Sequence, residues 1–220
     1  SLTRGGLRLH LLSAPPPAPA LAPGTIHIRV AASLQPAKSQ RPPASAWAME
    51  VLLVAQDGTQ RARLTARGAI AVTATHGTRG CPCLAAKHTT QVARHGAAEQ
   101  ALLCAEHLIS QAARRPDLCE PIIATLPNAT TARDLSPSRP ARKTTHRNVA
   151  SNNLRRLQRI NSQETRVSLR VEEDRAPEHL QLAADEAARS GVLRTSIEYA
   201  GGARHTIQLW DELRTWDPGD

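Results

Sequence analysis

A chain of 220 residues with no Phe, one Tyr, three Trp and one Met has few ways to build an interior. A large aromatic side chain buries about 150–250 Å² on its own. Without them a core must be assembled from Leu, Ile, Val and Ala, whose smaller volumes fill space only by close interdigitation. The length allows one ordinary domain or two small ones, and the core is expected to be thin. The 25 Arg against 3 Lys, with abundant Ala and Pro, are what GC-rich coding produces. The number of arginines therefore argues little, and their placement argues more.

That placement is uneven. Residues 1–131 carry a formal +7, residues 132–170 carry +8 and residues 171–220 carry −6. The middle stretch opens with "LSPSRPARKTTHR", in which prolines, serines and five basic residues surround one large apolar group, Leu135. Such a composition is expected to be extended. It continues as "RNVASNNLRRLQRI", where Leu154, Leu157 and Ile160 recur at helical spacing with Arg155, Arg156 and Arg159 on the other side. This pattern predicts an amphipathic basic helix, capped by Ser151 or Asn152. A basic arm followed by a basic helix neutralises phosphates and releases counterions, so Arg139, Arg142, Lys143, Arg147, Arg155, Arg156 and Arg159 are candidate nucleic-acid contacts. Plain solvation, pairing with the acidic C-terminal segment, or a membrane surface would use the same residues. With no aromatic residue in this stretch, phosphate contact on structured RNA is favoured over base stacking.

Elsewhere the pattern predicts an α+β chain in several pieces. Residues 1–23 form a Pro/Ala-rich, acid-free and arginine-bearing tail, expected to be disordered and of the composition of a mitochondrial or other organellar transit peptide. Residues 24–127 are expected to hold a small antiparallel sheet and one helix. "TIHIRV" alternates as a strand, "MEVLLVAQDGTQRARLTARG" is a hairpin turning at Asp57-Gly58, and "AIAVTAT" extends the sheet. A helix is predicted from Ala97 to Pro116, and "PIIATLP" is ambiguous. Residues 128–164 are the basic linker and helix, residues 165–213 an acidic β-α-β-β module, and 214–220 a tail. The helix of that module starts at Pro177, carries acids early and Arg189 late, and ends at Gly191. No apolar run is long enough to span a membrane.

Eight of the thirteen Cys and His residues fall between positions 76 and 119. Cys81 and Cys83 in "CPC", with Cys104 and His107 one helical turn apart in "CAEH", could supply four ligands to zinc. C-x-C lacks the two-residue spacer that turns both sulfurs inward, so unligated thiols or a disulfide compete with that reading and no cofactor is expected. There is no G-x-S-x-G, P-loop, G-x-G-x-x-G or H-E-x-x-H. The sequence is therefore read as a non-enzymatic, RNA-binding structural component of a ribonucleoprotein particle. The alternative is a regulatory subunit whose acidic C-terminal module binds a protein partner. A small enzyme with unfamiliar chemistry would reveal itself by polar groups converging in a pocket.

Overall fold

The computed structural model describes residues 2–4, 7–10, 24–54, 57–58, 60–70, 87–112, 121–135, 144–163, 167–190 and 196–201. The strand expected at "HTIQLW", the extension "VTAT", Cys81, Cys83 and the arm at 136–143 lie outside them. The class is mixed α+β, as the sequence pattern implies. One sheet holds β1 (Leu2–Arg4), β2 (Leu7–His10), β3 (Thr25–Gln35), β4 (Ala44–Val54), β5 (Gln60–Ile70), β6 (Ile122–Leu126), β7 (Leu169–Glu173) and β8 (Ser196–Gly201). Their order is β1-β2-β8-β5-β4-β3-β6-β7. The helices are α1 (Thr90–Ala112), α2 (Ala129–Asp134), α3 (Thr144–Asn161) and α4 (Glu178–Ser190).

Three strands of 11 residues form the centre, because β3 to β5 run antiparallel through two successive hairpins. The tight turn between β4 and β5 uses Gly58 at φ +81°, a conformation that costs an L side chain dearly. The pairing shifts register between Leu53 and Val54 just before that turn. Side chains alternate between two covered faces. Ile26, Ile28, Val30, Trp47, Met49, Val51 and Leu64 face the main core, whereas Ala31, Ala46 and Ala48 face the opposite side. The small residues on the second face admit α4 closely, through Leu180, Ala184, Ala187 and Ala188. On the first face α1 lies on the sheet, with α3 packed on α1 from outside. The result is three layers. Trp47 is paired directly with Gly68 in β5, and a Cβ at that glycine would sit 3.2 Å from the indole ring. A chain this poor in aromatics thus lays a whole indole across a neighbouring strand, where a larger partner would displace it.

Four features go beyond the sequence reading, and each has a plain physical cause or a place in the sheet. The ambiguous "PIIATLP" is β6, a strand buried between β3 and β7, parallel to both; buried parallel strands lack polar alternation. Within the segment 165–213, β7 joins β6 as the edge of the common sheet, and α4 covers the sheet's face. Helix α1 begins at Thr90, seven residues before the segment "AAEQ" at 97, and α3 begins at Thr144, so Ser151 and Asn152, expected to cap it, lie inside the helix, whose opening "TTHRN" is polar and carries no hydrophobic stripe. Within the tail expected to be disordered, residues 2–4 and 7–10 are strands, and β2 pairs with β8.

Candidate functional site

The parallel pair β3 and β6 ends at one edge of the sheet, and the carboxyl ends of parallel strands are where open α/β sheets make clefts. Here a cleft of about 760 Å³ opens. Its floor is the end of β3 at Ala32, Ser33 and Leu34, and Pro127 after β6 closes the back. One wall is the start of α1, with Thr90 and Arg94, and the other is the entry to α4, with Arg175, Glu178 and Gln181.

Local chemistry holds each wall in place. Thr89 caps α1, its Oγ1 accepting the Val92 N–H at 3.1 Å. Gln181 Nε2 donates to the Ala32 carbonyl at 2.9 Å and to Asp185 Oδ1 at 3.2 Å, which ties α4 to the end of β3. Behind the cleft, Asn128 caps α2 through its Oδ1 and the Thr130 N–H, at 2.9 Å. Beneath α4 the carboxylate of Glu50, 1 % exposed, is shared by the Arg29, Arg63 and His179 side chains, the last two at 3.1 and 2.9 Å. Arg29 opposes Glu50 directly across β3 and β4, and His179 comes from the first turn of α4.

The electrostatics of the cleft are one-sided. The first turn of α1 has no acidic residue, although a helix N-terminus concentrates positive charge and favours acids. Arg94 follows immediately. Among the described residues neither the Arg94 nor the Arg175 guanidinium has a carboxylate partner, and Glu178 is the cleft's sole acid. A second depression of about 300 Å³ shares Arg175 with this cleft and is lined by His27, Arg29 and the acidic run Glu172–Asp174. Burial, and then the charge of Arg29, hold the His27 imidazole below its ordinary range. Among the described residues no group of three or more His, Cys, Asp or Glu could hold a metal ion.

The residues singled out from sequence are placed elsewhere. Arg156 and Arg159 on α3 both donate to Glu106 of α1, at 2.8 and 2.6 Å. Arg155 is exposed on the same helix, Arg147 lies in its first turns, and Arg139, Arg142 and Lys143 fall outside the described residues. Cys104 is wholly buried among aliphatic side chains, which pushes its thiol pKa upward, and His107, one turn further along α1, is half-buried. Sequence reasoning missed Ser33, Arg94 and Arg175. Each lies near the end of a strand or the start of a helix, and that position relative to element ends is the signal that could have found them.

No family model matches the sequence, and no curated protein matches it. Solved structures do show similarity. An RNase H1 from the halophilic archaeon Halobacterium salinarum aligns over 76 % of this chain and 97 % of its own, at 14 % identity and a TM-score of 0.37. An RNase H1 isolated from compost by a metagenomic approach aligns over 76 % and 95 %, at 13 % identity and a TM-score of 0.41. A foamy viral protease-reverse transcriptase in complex with an RNA/DNA hybrid aligns over 83 % of this chain and 22 % of its own, at 13 % identity and a TM-score of 0.35. The reading of the chain as a non-enzymatic component of a ribonucleoprotein particle is corrected by where the structure places its residues. The basic helix that carried that reading has two of its arginines committed to Glu106.

Proposed function

We propose that the protein binds nucleic acid through the cleft at the carboxyl ends of β3 and β6, with Arg94 and Arg175 as phosphate contacts. The observation that carries this reading is the uncompensated charge of the cleft: an acid-free α1 N-terminus followed by Arg94, facing Arg175 across about 760 Å³. A phosphate there would meet two guanidinium forks suited to bidentate contact. The exposed Arg155 of α3 is a further candidate phosphate contact, as are Arg139, Arg142, Lys143 and Arg147 of the same basic stretch of sequence.

The test is titration of the protein into labelled RNA/DNA hybrid, duplex RNA, duplex DNA and single strands at two salt concentrations, beside Arg94→Ala and Arg175→Ala. The bound samples are run on a gel to score strand cleavage. Each substitution is expected to weaken binding several-fold and to lower the salt slope by about one. Affinity indifferent to both substitutions would remove the cleft from the reading.

A further inference from the structure

Ser33 is 5 % exposed, lies at the floor of the cleft and has no side-chain partner among the described residues. Its Oγ is not one of the side-chain atoms that are both sealed from solvent and unpartnered, so the hydroxyl can be reached from the cleft and keeps its hydrogen-bonding capacity for a ligand. It shares the α4 side of β3 with Ala31, so a ligand reaching it must descend between the two helix entries.

The charge of the walls states what that ligand carries. Arg94 and Arg175, less Glu178, together with the half-charges at the N-termini of α1 and α4, amount to about two positive charges. An internal phosphodiester brings one negative charge and is tethered on both sides. A phosphomonoester brings about −1.5 to −2 at pH 7, with three acceptor oxygens and a single tether, so it matches the charge and can reach the floor. We propose that the cleft is a receptor for a phosphomonoester on a nucleoside, the terminal phosphate of a nucleic-acid strand or that of a free nucleotide, with Ser33 donating at its floor and Arg94 and Arg175 on its walls. This deepens the nucleic-acid reading of the same cleft and rests on it for the strand-borne source.

The experiment uses the full chain and five probes: one oligonucleotide bearing a 5′-phosphate, a 3′-phosphate or hydroxyls at both ends, then AMP, then adenosine. A phosphorylated end is expected to bind about tenfold more tightly than the hydroxyl-ended strand. Ser33→Ala, which removes one oxygen, is expected to erase most of that preference with no change in thermal unfolding. The exposed Arg175→Gln is a second variant that reduces it without touching the floor. Preference for AMP over adenosine with no discrimination between strand ends would assign the monoester to a free nucleotide. Equal affinity for all strand ends together with no AMP binding overturns the proposal, even where strands still bind in an Arg94-dependent manner and the nucleic-acid reading stands. AMP binding without any strand binding has the reverse meaning.

Discussion

Glu99 is 1 % exposed on α1, and burial pushes its carboxyl up to about 7 against the pull of Arg156 at 3.9 Å. The unfolded chain ionises this group near 4.5, so folding favours its protonated form. Its stability contribution is full below pH 4.5 and is lost as pH rises through about 7. At about 1.4 kcal/mol per tenfold, the displacement corresponds to roughly 3 kcal/mol at pH 8. Glu99→Gln is therefore expected to stabilise the protein by up to about 3 kcal/mol at pH 8 and by nothing at pH 4, read from urea unfolding at both pH values; a gain independent of pH would contradict this. Glu106, two turns on, has the opposite sign. Burial pushes its carboxyl up, but hydrogen bonds from Arg159 and Arg156 outweigh it and hold the group below 4.5. Its contribution is present above pH 4.5 and is lost as pH falls through the lowered value. Glu106→Ala leaves Arg156, 17 % exposed, without its nearest acid and is expected to cost about 1–2 kcal/mol at pH 7.

At the scale of elements, α4 is one wall of the cleft, and Glu50 helps to fasten it to the sheet. The apolar contact beneath α4 is built largely of alanines, so little aliphatic volume holds it. The carboxylate of Glu50 joins His179 of α4 to Arg29 and Arg63 of the sheet, and Arg67 adds a more exposed pair with Glu186. Glu50→Ala is expected to destabilise the fold by about 2–3 kcal/mol, less than a fully buried pair would lose because Arg29 and Arg63 keep about a third of their surface in water. It is also expected to weaken binding at the cleft, whereas Arg67→Ala changes stability by less than about 1 kcal/mol. Much of this architecture was legible in the sequence. The alternation of Ile26, Ile28 and Val30, the Asp57-Gly58 turn, and the Pro177 start of α4 each encode one element locally. The cleft was not. Ser33, Arg94 and Arg175 are far apart along the chain and meet through β-pairing and a helix crossover, which no local periodicity records. Nothing local marked Glu50 as a buried anchor, because burial on both faces of β4 depends on α4 arriving from the far end of the chain.

For the whole molecule, the segregation of charge along the chain is undone by folding. The basic α3 lies against Glu106 of α1, and in the acidic 171–190 segment Glu186 pairs with Arg67 of the sheet, while Arg29 and Arg63 are held by Glu50. Net charge of +9 nonetheless remains to attract a polyanion at long range, so overall affinity for nucleic acid does not by itself locate the contact surface. The salt dependence does, because each phosphate contact contributes its own increment to the slope. An arginine already paired with a carboxylate releases no counterion when phosphate arrives unless that pair is broken first. Replacing Arg94 and Arg175 together is thus expected to lower the slope of log K against log salt by about two, and Arg155→Ala by about one. Replacing Arg156 and Arg159 together is expected to leave the slope within about half a unit of the parent and to lower unfolding stability instead, since both side chains sit on Glu106. The four titrations share one ligand and one buffer series. A slope that falls by about two with the α3 pair and holds with the cleft pair would move the phosphate surface from the sheet's edge to the outer helix.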